Sequence, residues 1–138
     1  NLIKLLRLQK KIKILGFVDS HNDVLKAIRK SSLLVHPSSV EGFGIVLVEA
    51  MAQNTPYVAF KIPAIAEITN NGKGGVLIEP FDFDEFGKAI IKFKNNKELY
   101  LRKSKEASLI VKKYDWQKIA DETLSYYQKI YDENRRRI

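Results

Sequence analysis

Val35-His-Pro-Ser-Ser-Val-Glu-Gly-Phe-Gly-Ile-Val-Leu-Val-Glu-Ala-Met-Ala-Gln-Asn-Thr-Pro56 is the stretch on which the fold of this chain turns. A β-branched run ends at His36, and Pro37, Ser38 and Ser39 are ordinary turn residues. Glu41 then stands beside Gly42 and Gly44, and an almost wholly apolar segment runs from Ile45 to Ala52. Ile45, Val46, Leu47 and Val48 would also suit a buried strand, so local propensity is ambiguous here. Three features favour a helix over Phe43 to Gln53. The segment continues through Glu49, Ala50, Met51 and Ala52, mostly good helix formers. Asn54 offers a C-terminal stop just before Thr55 and Pro56. A parallel sheet also needs a crossover at this point.

Working outward, short apolar runs alternate with helical patterns. Strands are expected at Ile12–Val18, Leu33–His36, Tyr57–Phe60 and Val76–Ile78. Asp23 to Lys30 carries Val24, Ala27 and Ile28 on one side, as a helix would, and Ile65 to Thr69 precedes the fourth strand. Strand-helix repetition implies parallel strands with right-handed crossovers, hence a Rossmann-like, doubly wound α/β sheet. Beyond it the chain becomes helical. Asp82 with Glu85 makes a capping-box-like start, followed by Phe86, Ala89, Ile90 and Phe93; a second helix spans Lys97 to Lys113. A third begins near Asp115 and aligns Trp116, Ile119, Ala120, Leu124, Tyr127, Ile130 and Tyr131, a stripe better suited to a core or domain interface than to base stacking.

The bulk properties fit one domain of 138 residues, 45% apolar and 29% charged, with no cysteine and no apolar run long enough to span a bilayer. Disulfides, thiolate nucleophiles and cysteine-based zinc sites are excluded. Asn1 already stands in a helix-like pattern of Leu2, Leu5, Leu6 and Leu8, which reads as a chain excised from something longer. The net charge of +8 gathers at Lys4, Arg7, Lys10, Lys11 and Lys13 and at Arg135, Arg136 and Arg137. Such clusters suit phosphorylated ligands or anionic membranes, or simply form a solvated face. No recognition motif accompanies them, so no nucleic-acid partner is expected. His21 and His36, the two histidines, read as packing or rim residues, and no metal site is expected.

A glycine-flanked helix start at the carboxyl end of a strand offers unpaired backbone N–H groups and a positive dipole end, which suit phosphate. Gly42 and Gly44 would let the backbone approach a diphosphate closely. Glu41 and Glu49 lie eight positions apart, roughly 12 Å along a helix axis. That span is about the reach from a sugar, across a diphosphate, to a ribose. Glu49, alone among apolar residues, needs partners; ribose hydroxyls would serve, as would a neighbouring lysine or arginine with Glu41 left as a solvated turn residue.

The run Glu41-Gly-Phe-Gly-Ile-Val-Leu-Val-Glu49-Ala-Met-Ala resembles the Glu-x7-Glu signature of the retaining glycosyltransferases of family 4, the glycosyl transferases group 1. Lys13-Ile-Leu-Gly-Phe-Val18, Pro37-Ser38, Thr55-Pro56-Tyr-Val-Ala59, Gly72 to Pro80 and Tyr114-Asp-Trp116 extend the similarity over nearly the whole chain. The resemblance implies a GT-B fold, of which residues 1–138 would be the C-terminal, nucleotide-sugar-binding half. It implies that Glu41 touches the donor sugar near the reacting centre. Gly42, Phe43, Gly44 and Ile45 would serve sugar and diphosphate, Glu49 the ribose, and Gly16, Phe17 and Val18 the base. The implied reaction transfers a glycosyl group from a nucleoside-diphosphate sugar with retention, without metal or added cofactor, in the cytoplasm, where the basic clusters suit peripheral contact with the inner face of an anionic membrane. The acceptor site would lie in an N-terminal partner domain, so this piece alone should bind donor and transfer nothing. The alternative within the same fold is a non-transferring sugar-nucleotide module or an epimerase. One departure is visible: the family's Gly-Gly pair is replaced by Ile62-Pro-Ala64, which should stiffen that loop.

Overall fold

The apolar segment after Gly44 is a helix. In the computed structural model, which describes residues 2–135, α1 spans Leu2–Leu5, α2 His21–Lys30, β1 Leu34–His36, α3 Ile45–Ala52, β2 Tyr57–Phe60, α4 Pro63–Ile68 and β3 Gly75–Ile78. They are followed by α5 at Phe83–Asn95, α6 at Lys97–Ile110, a 3-10 turn at Val111–Tyr114 and α7 at Trp116–Arg135. Arg136 and Arg137 of the C-terminal basic cluster lie outside the described residues.

α3 follows its N-cap residue Gly44 and buries Leu47, Val48, Ala50 and Met51. It stops where Asn54 takes a left-handed conformation, φ 58°. The Thr55 N–H donates to the Ala50 carbonyl at 2.9 Å and the Asn54 N–H to that of Met51 at 3.1 Å. This is a Schellman closure, with asparagine supplying the positive φ usually given by glycine.

The three strands pair in parallel in the order β1-β2-β3, with Leu34 opposite Tyr57 and Tyr57 opposite Gly75. Successive residues of a strand point to opposite faces, and all four residues of β2 are buried, so both faces of the sheet are covered. On one face Phe60 meets the ring of Phe86 from α5 edge-on, centroids 5.2 Å apart. α6 closes on β3 at glycine: a Cβ on Gly74 would stand 2.9 Å from the Ala107 backbone, and one on Gly75 would enter the Tyr57 ring. Full burial of side chains such as Tyr57, Phe60, Leu47 and Met51 contributes about 1.5–3 kcal/mol each. The sheet, its crossovers and the covering helices make the expected doubly wound α/β architecture.

Two expectations are corrected. Residues 12–18 form no strand; Ile14, Leu15 and Phe17 are exposed. A β-branched run becomes a strand only when a neighbour completes its ladder, and the described residues supply none. The stripe of α7 is not core either, because no residue of that helix is buried. It packs chiefly against the 3-10 turn before it. Elsewhere the differences are at the boundaries. The helix expected to reach Lys113 tightens into the 3-10 turn at Val111, and Pro63 opens α4 at its first turn, where its fixed φ is preorganised. Asp82 caps α5 by accepting from the Glu85 N–H at 3.0 Å, while the Glu85 carboxylate turns to Lys88.

Candidate functional site

Parallel strands place their carboxyl ends together, and the segment 37–44 leaves β1 at that edge. Ser38 closes the turn by donating its hydroxyl to the Val40 carbonyl at 2.9 Å. Glu41 is thereby carried back to the strand end, where its Oε1 lies 3.0 Å from His36 Nε2. Both side chains are half-buried, at 26% and 19% exposure. Glu41 is therefore not a solvated turn residue.

The two glycines that follow differ. Gly44 is buried, has φ 85°, and a Cβ there would stand 2.4 Å from Ile65 Cδ1. Gly42 is exposed, and a Cβ there would meet nothing within 4 Å. Gly44 is thus glycine for the sake of the fold, whereas Gly42 leaves open space at its backbone. No side chain caps α3, and while the Leu47 N–H donates to the Gly44 carbonyl at 3.0 Å, those of Ile45 and Val46 have no acceptor among the described residues. Ile45, the first helical residue, is exposed, and Phe43 turns its ring edge-on to Tyr114 with centroids 5.7 Å apart.

Glu49 lies on α3, half-buried, and its Oε1 is 3.4 Å from Nε2 of His21 at the start of α2. Its protein partner is a histidine rather than a lysine or arginine. His21 in turn lines a cavity of about 820 Å³ whose wall includes Gly16, Phe17, Val18 and Asp19. Gly16 has φ 67° and Phe17 is 89% exposed. A second cavity, of about 400 Å³, is lined by Gly42, Phe43, Ala64, Glu67, Ile68, Lys113 and Tyr114. The expected base-binding turn therefore shares a cavity with the partner of Glu49, and two residues of the expected diphosphate turn, Gly42 and Phe43, line another. Glu41, Gly44, Ile45 and Glu49 line neither.

Sequence reasoning missed both histidines as partners of the two acids. One signal was available: His36 and Glu41 flank a four-residue turn rich in Pro and Ser, which brings its ends together. The 3.4 Å contact of His21 with Glu49 joins two helices and has no such local signature. A third feature of the carboxyl edge, also missed, is the ion pair of Lys61 and Glu79 at 2.9 Å. Each follows directly on a strand end, and the Glu79 carboxylate raises the pKa of the Lys61 ammonium. Among the described residues no group of three His, Asp or Glu side chains converges that could hold a metal ion. Among the same residues, no helix is long and apolar enough to cross a membrane.

A sequence model of the family "Glycosyl transferases group 1" matches residues 1–110, which include both acids, the uncapped helix start and the turn at Gly16. The chain belongs to the glycosyl transferases group 1 family. A glycosyltransferase of Methanocaldococcus jannaschii is 33% identical over 113 residues, covering 82% of this chain and 32% of the relative. The D-inositol 3-phosphate glycosyltransferase of Streptomyces griseus is 31% identical over 109 residues, 79% of this chain and 23% of that enzyme. Across the curated relatives it matches first, this group 1 glycosyltransferase chain spans only about a third of their length or less. Among solved structures, the sucrose-phosphate synthase of Thermosynechococcus elongatus superposes on 96% of the chain with a TM-score of 0.85, over 33% of its own length; at 23% identity it speaks for the fold alone. The C-terminal domain of a group 1 glycosyl transferase from Francisella tularensis, 26% identical, matches 81% of the chain and 57% of that domain with a TM-score of 0.72. The group 1 chain thus has the fold of a GT-B glycosyltransferase domain.

Proposed function

We propose that this chain is the donor-binding half of a retaining glycosyltransferase that transfers a sugar from a nucleoside-diphosphate sugar to an acceptor held by an N-terminal domain. The observation that carries the reading is the placement of Glu41 and Glu49 on either side of an uncapped helix start, where α3 leaves the carboxyl edge of the sheet. Open α/β sheets bind ligands at that edge, and an uncapped helix start stabilises a diphosphate through its N–H groups and dipole. In this reading Glu41 accepts from the donor sugar, while Gly42, Phe43 and the first N–H groups of α3 face sugar and diphosphate. Glu49 keeps one oxygen near His21 and offers the other to ribose hydroxyls, and the base lies against Gly16, Phe17 and Val18. The protein's contribution to transfer is positioning and stabilisation of the charge that grows on the departing diphosphate, without a metal. The exposed basic segment at the start of the chain suits a cytoplasmic enzyme working beside an anionic membrane.

Calorimetry of the 138-residue chain with UDP- and GDP-sugars tests the reading. One class of donor should bind weakly, and Glu49→Gln should weaken it about tenfold, the loss of one charge-assisted hydrogen bond to a ribose hydroxyl. No glycosyl transfer to water or to added acceptors should accompany binding. Equal affinity of wild type and Glu49→Gln would remove the ribose assignment, and turnover by the chain alone would remove the division of labour between domains.

A further inference from the structure

We infer that His36 is the positioning residue for Glu41: it holds one carboxylate oxygen so that the other faces the donor sugar. The inference rests on the donor-site reading above and adds to it a residue whose role no motif specifies. His36 is the last residue of β1, and its backbone is fixed in the ladder opposite Ala59. The ring therefore projects from a rigid edge rather than from a loop. The turn closed by Ser38 returns Glu41 to it, and the Nε2–Oε1 distance is 3.0 Å.

A carboxylate only accepts hydrogen bonds, so Nε2 is the donating ring nitrogen in this contact. The pair is far less exposed than the surface pair of Lys61 and Glu79, whose side chains are 54% and 69% exposed. Among the described residues Glu41 makes no other hydrogen bond or ion pair. Oε1 is thus committed to the ring, and Oε2 is the acceptor left for a hydroxyl. Without the imidazole the carboxylate would rotate freely and hydrogen-bond water, and a ligand would bear the cost of ordering it. The contact of His21 with Glu49 is different in kind, because it is longer, at 3.4 Å, and His21 is 66% exposed. It places no comparable restraint on Glu49.

Calorimetry with UDP-glucose and GDP-mannose, each beside its bare nucleoside diphosphate, separates this role from a structural one. His36→Leu should weaken whichever sugar nucleotide the wild type binds about tenfold and leave the bare diphosphate unchanged. His36→Gln, whose amide N–H can reach the same oxygen, should recover most of the loss. Equal losses for sugar nucleotide and bare diphosphate, no loss for either, or a Gln variant as poor as Leu would each overturn the inference. Imidazole ¹⁵N shifts of the unliganded chain give a readout independent of ligand and of variant folding. They should show His36 Nε2 protonated and hydrogen-bonded, with the signature gone in Glu41→Ala; a wild type lacking it overturns the inference whatever the chain binds. Failure of the donor reading looks different: the ¹⁵N signature is intact but no sugar nucleotide binds the wild type, and the positioning role falls with it.

Discussion

Gly42 and Gly44 stand two positions apart and answer to different constraints. An alanine at Gly44 must keep a left-handed φ of 85° and thrust its methyl against Ile65 and Ile68. Left-handed backbone costs a non-glycine residue about 1–2 kcal/mol and overpacking a further 1–3 kcal/mol. Gly44→Ala should therefore lose roughly 2–5 kcal/mol in urea unfolding, whereas Gly42→Ala should unfold like wild type yet bind nucleoside diphosphate more weakly. If Gly42→Ala destabilises as much as Gly44→Ala, the assignment of Gly42 to ligand approach is wrong. In the sequence the two glycines were indistinguishable, because neither φ nor the reach of Ile65 across from α4 is a local property. The acids were legible as a pair from their spacing and from the isolation of Glu49 among apolar residues. The turn between His36 and Glu41 held a readable hint of their pairing, whereas His21 was not legible as the partner of Glu49, since it meets that acid only after α2 has folded against α3.

At the scale of elements, stop signals were readable and partnerless segments were not. Asn54 and Asp82 act on their own backbone neighbours, so the end of α3 and the start of α5 follow from sequence. Among the described residues, 12–18 have strand composition but no ladder neighbour, and α7 has a helical stripe that none of them buries, facts that only tertiary context supplies. Stopping the chain after Asp115 should accordingly leave the melting temperature within about 2–3 °C of wild type, less than ~1 kcal/mol of stability removes from a domain of this size. Trp116, the single tryptophan, is 81% exposed and should be quenched freely by acrylamide; a protected Trp116 or a large drop on truncation would show α7 folded onto the body. The tie between α6 and the loop before β3 is of another kind. Glu106 accepts from the Gly74 N–H at 3.2 Å and from Lys103 at 2.8 Å, and Lys103 also donates to the Gly72 carbonyl. Burial pushes the Glu106 pKa up, but these donors and the charges of Lys103 and Arg102 outweigh it and hold it below the usual value. A carboxyl depressed on folding adds stability above its unfolded pKa, and that stability drains as pH falls through the folded one. Glu106→Gln should thus melt a few degrees below wild type at neutral pH, with the gap closing once pH drops below about 4.3, the ordinary glutamate value. A gap independent of pH would mean the carboxylate charge is not what ties α6 to the loop.

For the molecule as a whole the decisive quantity is a charge of +8 unevenly distributed. Lys4, Arg7, Lys10, Lys11 and Lys13 are all exposed and share the first residues with the exposed leucines Leu2, Leu5 and Leu6 of and after α1. A diphosphate site draws on helix-start N–H groups and needs few of these cations, so the cluster is free to meet a larger anionic surface. Each Lys or Arg close to an anionic leaflet contributes about 1 kcal/mol, and the attraction fades within a Debye length. The chain should sediment with phosphatidylserine-containing vesicles at low salt, and release them near 1 M salt, where the screening length is about 3 Å. Replacing Lys10, Lys11 and Lys13 by Gln should lower the partition coefficient roughly a hundredfold or more, since three such contributions are lost. Calorimetric affinity for the nucleotide sugar should stay as it was, because none of the three lines either cavity at the site. Equal sedimentation with pure phosphatidylcholine, or binding that survives high salt, would assign the contact to the exposed leucines instead and leave the charge without a membrane role. Loss of nucleotide-sugar binding in the triple variant would instead place the basic cluster within reach of the diphosphate.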